Sequence, residues 1–188
     1  MGLKSSWINL IYKAATSAKH VRNVLTPLGV LIFGVFTFIF ILISVETDKF
    51  LNIAPILSYP YNLYLSAPLI IFGSFLTFWS AFCFLKVNGT PVPINPPPEI
   101  VKAGPYGYTR NPMISGLYLF LFGLGIMIES FSLVVIFTPL YILFNSLELK
   151  YIEEPELEKR LGVDYLKYKE TTPMYIPKFG ALFKSIVK

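Results

Sequence analysis

The feature that most constrains this chain is a run of apolar residues over 27–45 that contains no charged side chain. About 20 consecutive apolar residues are enough to cross the hydrocarbon core of a bilayer as an α-helix, and a second such run covers 67–85. The mean hydropathy of the chain is +0.61, and only 14% of its residues are charged. These values favour an all-α integral membrane protein over a water-soluble domain.

Two further apolar segments, 113–128 and 131–147, are separated by only two residues. They are therefore predicted to form a tight antiparallel hairpin, and because each is short for a full span, membrane thinning, tilt or an offset hairpin would accommodate them. Pro139 is predicted to kink the second arm. Small residues in the first arm would allow close approach to a neighbouring helix; these are Gly116, Gly123 and Gly125. The expected fold has four transmembrane helices with this hairpin at the C-terminal end.

The flanking segments are predicted to lie outside the hydrocarbon core. Apolar residues recur at helical spacing over 5–25, between lysines and an arginine, which is typical of an amphipathic helix on the membrane surface. A helix packed on the loops is the alternative. A short cytoplasmic helix over 153–170, followed by an extended tail, is expected at the other end. The single membrane domain is thus divided into an interfacial helix (1–26), helices one and two (27–85), a proline-rich cytoplasmic loop (86–112), the hairpin (113–152) and a cytoplasmic tail (153–188).

The loop over 86–112 contains seven prolines. Proline removes a backbone donor and fixes φ, so this segment is predicted to be extended and stiff. Long loops in compact proteins are usually either functional or disordered. The mixture of proline with apolar and aromatic residues favours an ordered, functional loop.

The distribution of lysine and arginine predicts the orientation of the chain. Four lie in the N-terminal segment, three in the proline-rich loop and eight from residue 150 onward, whereas Lys49 is the one in the loop after helix one. Cytoplasmic loops are enriched in these residues. Both termini and the proline-rich loop are therefore predicted to be cytoplasmic, and any site they form should lie at the cytoplasmic face.

The two arms of the hairpin have similar lengths, so Arg110 and the pair Glu153–Glu154 are predicted to meet at one membrane face. An arginine beside two carboxylates is a candidate site. Two structural alternatives remain open at this point. Arg110 could reach lipid phosphates at the interface, and the two glutamates could form a solvated face that closes the hairpin by a salt bridge.

The motifs at these positions resemble a known family. They are Gly104-Pro105-Tyr106, Arg110-Asn111-Pro112-Met113-Ile114-Ser115-Gly116 and Glu153-Glu154-Pro155-Glu156-Leu157. The order is similar to that of the integral membrane methyltransferases, which include isoprenylcysteine carboxyl methyltransferase and phospholipid N-methyltransferases. Those proteins share Arg-His-Pro-x-Tyr-x-Gly followed, after a helical hairpin, by Glu-Glu-x-x-Leu. The resemblance covers about residues 86–178, with Asn111 and Ile114 in place of the usual His and Tyr.

The resemblance implies S-adenosylmethionine as methyl donor. Arg110 can bind the carboxylate of its methionine end, and Glu153 or Glu154 can hold the ammonium. The remaining residues expected around the donor are those of the turn and of the motif that follows it: Gly104, Pro105, Tyr106, Asn111 and Pro112. Arg110, Glu148 and Glu154 are the residues expected to take part in catalysis.

A second polar stripe lies deeper in the fourth helix. Tyr141, Asn145 and Glu148 share one face, and ionisable groups within a span are costly and often functional. The stripe is predicted to line the acceptor side of the site. An interhelical hydrogen-bond network is the alternative.

These expectations define a membrane-embedded methyltransferase for a lipid-like or small hydrophobic acceptor. The acceptor group could be an isoprenylcysteine carboxylate, a phospholipid amine or a thiol. The alternatives are an NADPH-dependent oxidoreductase resembling sterol reductases, and a non-catalytic membrane scaffold. No metal-binding spacing and no nucleic-acid-binding motif occurs in the sequence, so membrane lipid and the acceptor are the expected partners.

Overall fold

The computed structural model describes residues 3–87 and 89–177. These residues contain helices and no strand, which confirms the predicted all-α class. A short 3₁₀ turn, Gly104–Gly107, lies in the proline-rich loop. The predicted extended tail falls largely beyond residue 177 and so lies outside the described residues. The helices are α1 (Leu3–Ala15), α2 (Lys19–Leu51), α3 (Tyr61–Leu85), α4 (Pro112–Met127), α5 (Leu133–Leu161) and α6 (Val163–Thr171).

Among the described helices, α2, α3 and α5 are each long and apolar enough to cross a membrane. They contain 33, 25 and 29 residues, respectively, whereas the apolar helix α4 has 16 residues. Most large apolar side chains of α2 face outward, as expected where lipid rather than water is the solvent. Residues 3–87 and 89–177 therefore contain three candidate spans, and the fourth predicted span remains a prediction.

The N-terminal boundaries differ from those predicted. The surface helix ends at Ala15 rather than near residue 26, and α2 already begins at Lys19, so that Pro27 lies inside it. One internal proline costs about 3 kcal/mol, which the hydrogen bonds and side-chain contacts of a long helix offset. Helix α1 packs on the end of α5, where Lys159 Nζ donates to Asn9 Oδ1 at 2.9 Å.

The second arm of the hairpin is longer than predicted. The segment predicted as a helix over 153–170 is helical, but it is not separate from the second arm, because α5 continues past residue 152 to Leu161. Two π-helical turns interrupt it, Leu133–Phe137 just before Pro139 and Leu149–Glu153 just before Pro155. A π turn widens the helix by one residue and so tolerates a following proline without ending the helix. The break comes instead at Gly162, whose φ is +59°.

The predicted glycine contacts are confirmed, and the main partner is α3. A Cβ atom on Gly116 would lie 2.5 Å from Thr77 Oγ1 and 2.7 Å from the Gly73 carbonyl oxygen. A Cβ atom on Gly123 would lie 2.8 Å from Ile70, and one on Gly125 would lie 2.7 Å from Val134 of α5. Gly116 and Gly123 therefore allow α4 to approach the backbone of α3, and Gly125 leaves room for side chains of α5.

The chain after α6 returns to the helix bundle. Tyr118 and Tyr141 form a buried cluster between α4 and α5, and Tyr175 packs against it. The Tyr175 hydroxyl lies 3.0 Å from Ser146 Oγ. This contact anchors residues 172–175, the C-terminal strap, beside the start of α4.

Candidate functional site

A cavity of about 760 Å³ lies between α2, α5, α6 and the proline-rich loop. Ligand sites in proteins have volumes of roughly 300–1,000 Å³. One end is polar and carries residues of the motifs, and the other is apolar and formed by membrane-spanning helices. The side chains from the sequence prediction that line this cavity are Tyr106, Arg110, Asn111, Asn145, Glu148 and Glu153.

Arg110 precedes α4 and is held on several sides. Its Nη1 donates to the carbonyl oxygens of Lys169 and Thr172 at 2.9 and 2.6 Å, and its Nη2 donates to Glu154 Oε1 at 2.5 Å. Its side chain is only 11% exposed. Within the described part of the chain, the buried Nε has no hydrogen-bond partner. The guanidinium belongs to a residue that lines the cavity, and it is thus fixed in position while its Nε–H stays unpaired among the described residues.

Glu154 is buried and does not line the cavity. Its second oxygen accepts a bond from Lys169 Nζ at 2.7 Å. This hydrogen bond raises the pKa of Lys169 above its usual range. The structure therefore brings Arg110 and Glu154 together as predicted, and it places Glu154 as the carboxylate that orients Arg110.

Glu148 and Glu153 both face the cavity. In a regular α-helix, residues five apart point about 140° away from each other. The π turn Leu149–Glu153 between them, closed by a bond from the Glu154 N–H to the Leu149 carbonyl, changes that relation. Among residues 3–87 and 89–177, neither carboxylate has a hydrogen-bond or salt-bridge partner. The cavity therefore holds two carboxylates whose charge the neighbouring side chains do not pair.

Asn111 lies between the cavity and the C-terminal strap. Its backbone N–H donates to the Met174 carbonyl at 3.2 Å, and its side-chain amide lies 3.4 Å from the same oxygen. Thr109 Oγ1 also donates to this carbonyl, at 2.7 Å. The Arg-Asn pair is consequently held by the backbone of a segment more than 60 residues later in the chain.

Tyr106 forms the aromatic wall of the polar end. Its ring packs edge-to-face on Phe84 at 5.2 Å, and its carbonyl accepts a hydrogen bond from the Tyr168 hydroxyl at 2.6 Å. Burial raises the pKa of the Tyr106 hydroxyl above its usual range. Gly104 stands behind this wall with a φ of +58°, close to Trp79, so it supports Tyr106 without lining the cavity.

Other predicted residues also lie away from the cavity. Pro105 and Pro112 are buried behind it. Tyr141 is directed toward α2, where its hydroxyl lies 2.8 Å from Thr37 Oγ1. Only Asn145 and Glu148 of the predicted stripe therefore reach the cavity.

Several lining residues were not expected from the sequence. They are Phe33 and Phe36 of α2, Glu156 and Arg160 of α5, and Tyr165 and Tyr168 of α6. Glu156 and Arg160 are four residues apart, which is a recognisable helical ion-pair spacing. The remaining residues carry no local signal, because they meet the cavity only through the tertiary fold.

Two comparisons with known proteins bear on this site. A sequence profile described as phospholipid methyltransferase matches residues 61–164, more than half of the chain. The match begins with α3 and includes the Arg-Asn-Pro motif, the hairpin and the Glu-Glu motif. A comparison with curated proteins gives no match. In the residues that the structure describes, no group of three His, Cys, Asp or Glu side chains is placed to hold a metal ion. The chain belongs to the phospholipid methyltransferase family.

Proposed function

We propose that this membrane methyltransferase transfers a methyl group from S-adenosylmethionine to a lipid-like or small hydrophobic acceptor. The observation that carries the proposal is the cavity itself. It joins the family-matched residues Arg110, Asn111 and Glu153 at one end to apolar membrane helices at the other. A polar, zwitterionic donor and a hydrophobic acceptor can therefore meet inside it.

The polar end fits the methionine end of the donor. The buried, unpaired Nε of Arg110 is suited to a carboxylate. The Glu153 carboxylate, with no partner of its own, is suited to an ammonium group. Tyr106 offers an aromatic surface for the adenine. In this proposal Glu154 acts through Arg110, because both of its oxygens are already engaged.

The opposite end fits an acceptor that arrives from the bilayer. Phe33 and Phe36 of α2 and Phe144 of α5 line it, and each is more than 40% exposed on a helix long and apolar enough to cross a membrane. Asn145 and Glu148 are the polar groups beside them. Glu148 can bind an amine acceptor and take up its proton, whereas a carboxylate acceptor is already ionised and requires no base.

The chemistry itself requires little from the protein beyond alignment. S-adenosylmethionine carries the methyl group on a sulfonium, and transfer is a displacement at carbon that requires the acceptor atom in line. The fixed guanidinium of Arg110 and the π turn before Glu154 hold the polar end rigidly. The apolar walls exclude water from the reacting atoms.

The orientation proposed for the protein follows from its charges. Arg110 lies at the polar end of the cavity, and Lys169 is bound beside it to Glu154, so we place this end at the cytoplasmic face together with both termini. Helix α4 would then complete four spans by tilting or by local thinning of the bilayer.

A binding experiment tests this proposal against its alternatives. Purified protein in detergent is titrated with S-adenosylhomocysteine and, separately, with NADPH, and the unfolding temperature is recorded. A ligand that binds only the folded state must raise it. We expect a rise with S-adenosylhomocysteine alone, and labelled methyl transfer to one member of a panel of lipid amines, prenylated cysteines and hydrophobic thiols. A rise with NADPH alone would favour a reductase, and a rise with neither ligand would favour a scaffold.

A further inference from the structure

A buried ion pair near the end of α5 has no part in the proposed reaction. Arg160 Nε donates to Glu156 Oε1 at 2.8 Å, and the two side chains are 11% and 2% exposed. Both line the cavity. Replacing a buried ion pair with apolar residues is often neutral or stabilising, so stability alone does not account for this pair. Its geometry points to a positional role.

The same guanidinium also reaches the proline-rich loop. Arg160 Nη1 donates to the Pro97 carbonyl oxygen at 3.0 Å. One side chain therefore connects α5, through Glu156, to a loop segment more than 60 residues earlier. This double contact depends on the planar fork of arginine, because a lysine ammonium is a point charge on a flexible stem.

The segment that Arg160 holds behaves as a unit. Residues 90–97, the proline segment, are closed on themselves by a bond from Thr90 Oγ1 to the Asn95 carbonyl at 2.8 Å and one from the Asn95 N–H to the Val92 carbonyl at 2.9 Å. Its four prolines fix φ at their positions. We expect such a segment to move as one body when a contact at its end is released.

The far side of the proline segment rests on α2. A Cβ atom on Gly29 would lie 3.0 Å from a methyl group of Val92 and 3.4 Å from Ile94. Gly29, Val92 and Ile94 all line the cavity, next to Val30 and Phe33 of α2. The proline segment is therefore the wall that faces the apolar, membrane-side part of the cavity.

We infer that Arg160, supported by Glu156, is a positioning residue that sets the acceptor-side wall of the cavity by holding the proline segment against α2. This inference rests on the proposed methyl transfer and assigns the acceptor's hydrophobic part to the space between the proline segment and α2. Releasing the contact changes the fit of the acceptor and leaves the groups around Arg110 in place.

The test compares Arg160→Lys and Glu156→Gln with Lys167→Met, which removes an exposed cation on α6 outside the cavity. Arg160→Lys keeps the charge beside Glu156 and loses the bond to Pro97. Glu156→Gln removes the charge that supports Arg160; it is expected to change the same two properties in the same direction, and it serves if the first variant fails to fold. Two properties are measured for each: steady-state kinetics with the lipid acceptor identified for the unsubstituted protein, and hydrogen exchange of the Thr90 and Asn95 amides.

A hydrogen bond from a charged group corresponds to a factor of about ten or more in an equilibrium. We expect Arg160→Lys to speed exchange of the two loop amides about tenfold and to raise KM for the acceptor about tenfold, with kcat and S-adenosylhomocysteine affinity changed less than about twofold. Lys167→Met should match the unsubstituted protein in both properties.

Three results would overturn the inference. Unchanged exchange at Thr90 and Asn95 would mean that Arg160 does not hold the segment. Faster exchange with an unchanged KM for the acceptor would mean that the wall does not set acceptor fit, and the proposed function would stand. Absence of methyl transfer by the unsubstituted protein would refute the proposed function and, with it, the role of Arg160 in acceptor fit.

Discussion

Replacing Glu154 with glutamine is expected to destabilise the protein, whereas the same substitution at Glu153 is expected to weaken donor binding. The two residues are adjacent in sequence and differ by environment. Glu154 accepts bonds from Arg110 and Lys169 at 2.5 and 2.7 Å. In the described part of the chain Glu153 has no such partner, and it faces the cavity. Glu154 therefore stabilises the folded state, and Glu153 is available to a ligand.

The unfolding free energy lost on replacing Glu154 follows from the burial of its partner, Arg110. Removing one member of a buried ion pair typically costs about 3–5 kcal/mol. Glutamine retains one acceptor oxygen, and the Lys169 side chain is 35% exposed, so its contribution is screened by solvent. The lower end, about 3 kcal/mol, is therefore expected. At roughly 2–4 °C per kcal/mol for a chain of this size, the unfolding temperature should fall by about 6–12 °C.

Glu153→Gln should leave the ligand-free protein almost unchanged, within about 0.5 kcal/mol, because no described partner is lost. S-adenosylhomocysteine at about 100 times its Kd stabilises the folded state by about 2.7 kcal/mol. Loss of a charge-assisted bond to its ammonium, about 2 kcal/mol, raises Kd about thirtyfold. The stabilisation at the same ligand concentration then falls to about 0.9 kcal/mol.

Thermal unfolding in detergent, with and without S-adenosylhomocysteine, measures both effects. Glu158→Gln is the matched control, because Glu158 also contacts Lys169, at 2.8 Å, but is half-buried, whereas Glu154 is buried. This substitution should change the free energy of unfolding by no more than about 1 kcal/mol, with a correspondingly small change in the unfolding temperature. Equal destabilisation by the substitutions at Glu153 and Glu154, or full ligand stabilisation of Glu153→Gln, would refute the division of roles.

Three further outcomes are expected. Gly116→Ala should lower the free energy of unfolding by about 1–3 kcal/mol, since its Cβ would lie 2.5 Å from Thr77 Oγ1. Gly34→Ala, whose Cβ would have no atom within 4 Å, should not destabilise the protein. Chemical unfolding compares the two variants. Burial raises the pKa of Tyr168, so the folded state keeps a proton that the unfolded chain releases above about pH 10. The stability present below that pH is therefore lost as the pH rises. Tyr168→Phe should flatten the fall in unfolding temperature between about pH 9 and 11. Glu148→Gln should slow methylation of an amine acceptor about a hundredfold or more, and it should slow methylation of a carboxylate acceptor only slightly. Unchanged turnover of every acceptor would contradict the role of Glu148 as a base.

The apolar runs carried most of the information about the fold. They predicted the helices and the hairpin because hydropathy reports which segments can lie in lipid. They did not predict that α5 continues past Glu153, since the continuation depends on the hydrogen-bond register of a π turn and not on composition. Pro155 after two glutamates reads locally as a break, although the chain passes it as a helix.

At the site, sequence spacing predicted that Arg110 and Glu154 would meet, and they do. It could not predict that carbonyl groups of Lys169 and Thr172 would bind the same guanidinium, because a backbone oxygen carries no residue-specific signal. The sequence also could not predict the direction in which the Tyr141 side chain points. A helical stripe fixes a face, and only the packing against α2 decides which part of that face meets the cavity.

The π turn at Leu149–Glu153 has a consequence for how proteins of this kind can diverge. A π turn is equivalent to one residue inserted into an α-helix. Deleting one residue there would restore regular winding, and Glu148 and Glu153, then four residues apart, would still point within about 40° of each other. A single-codon deletion could thus remove one side chain from this turn while the segments on either side keep the same faces toward the cavity and the lipid.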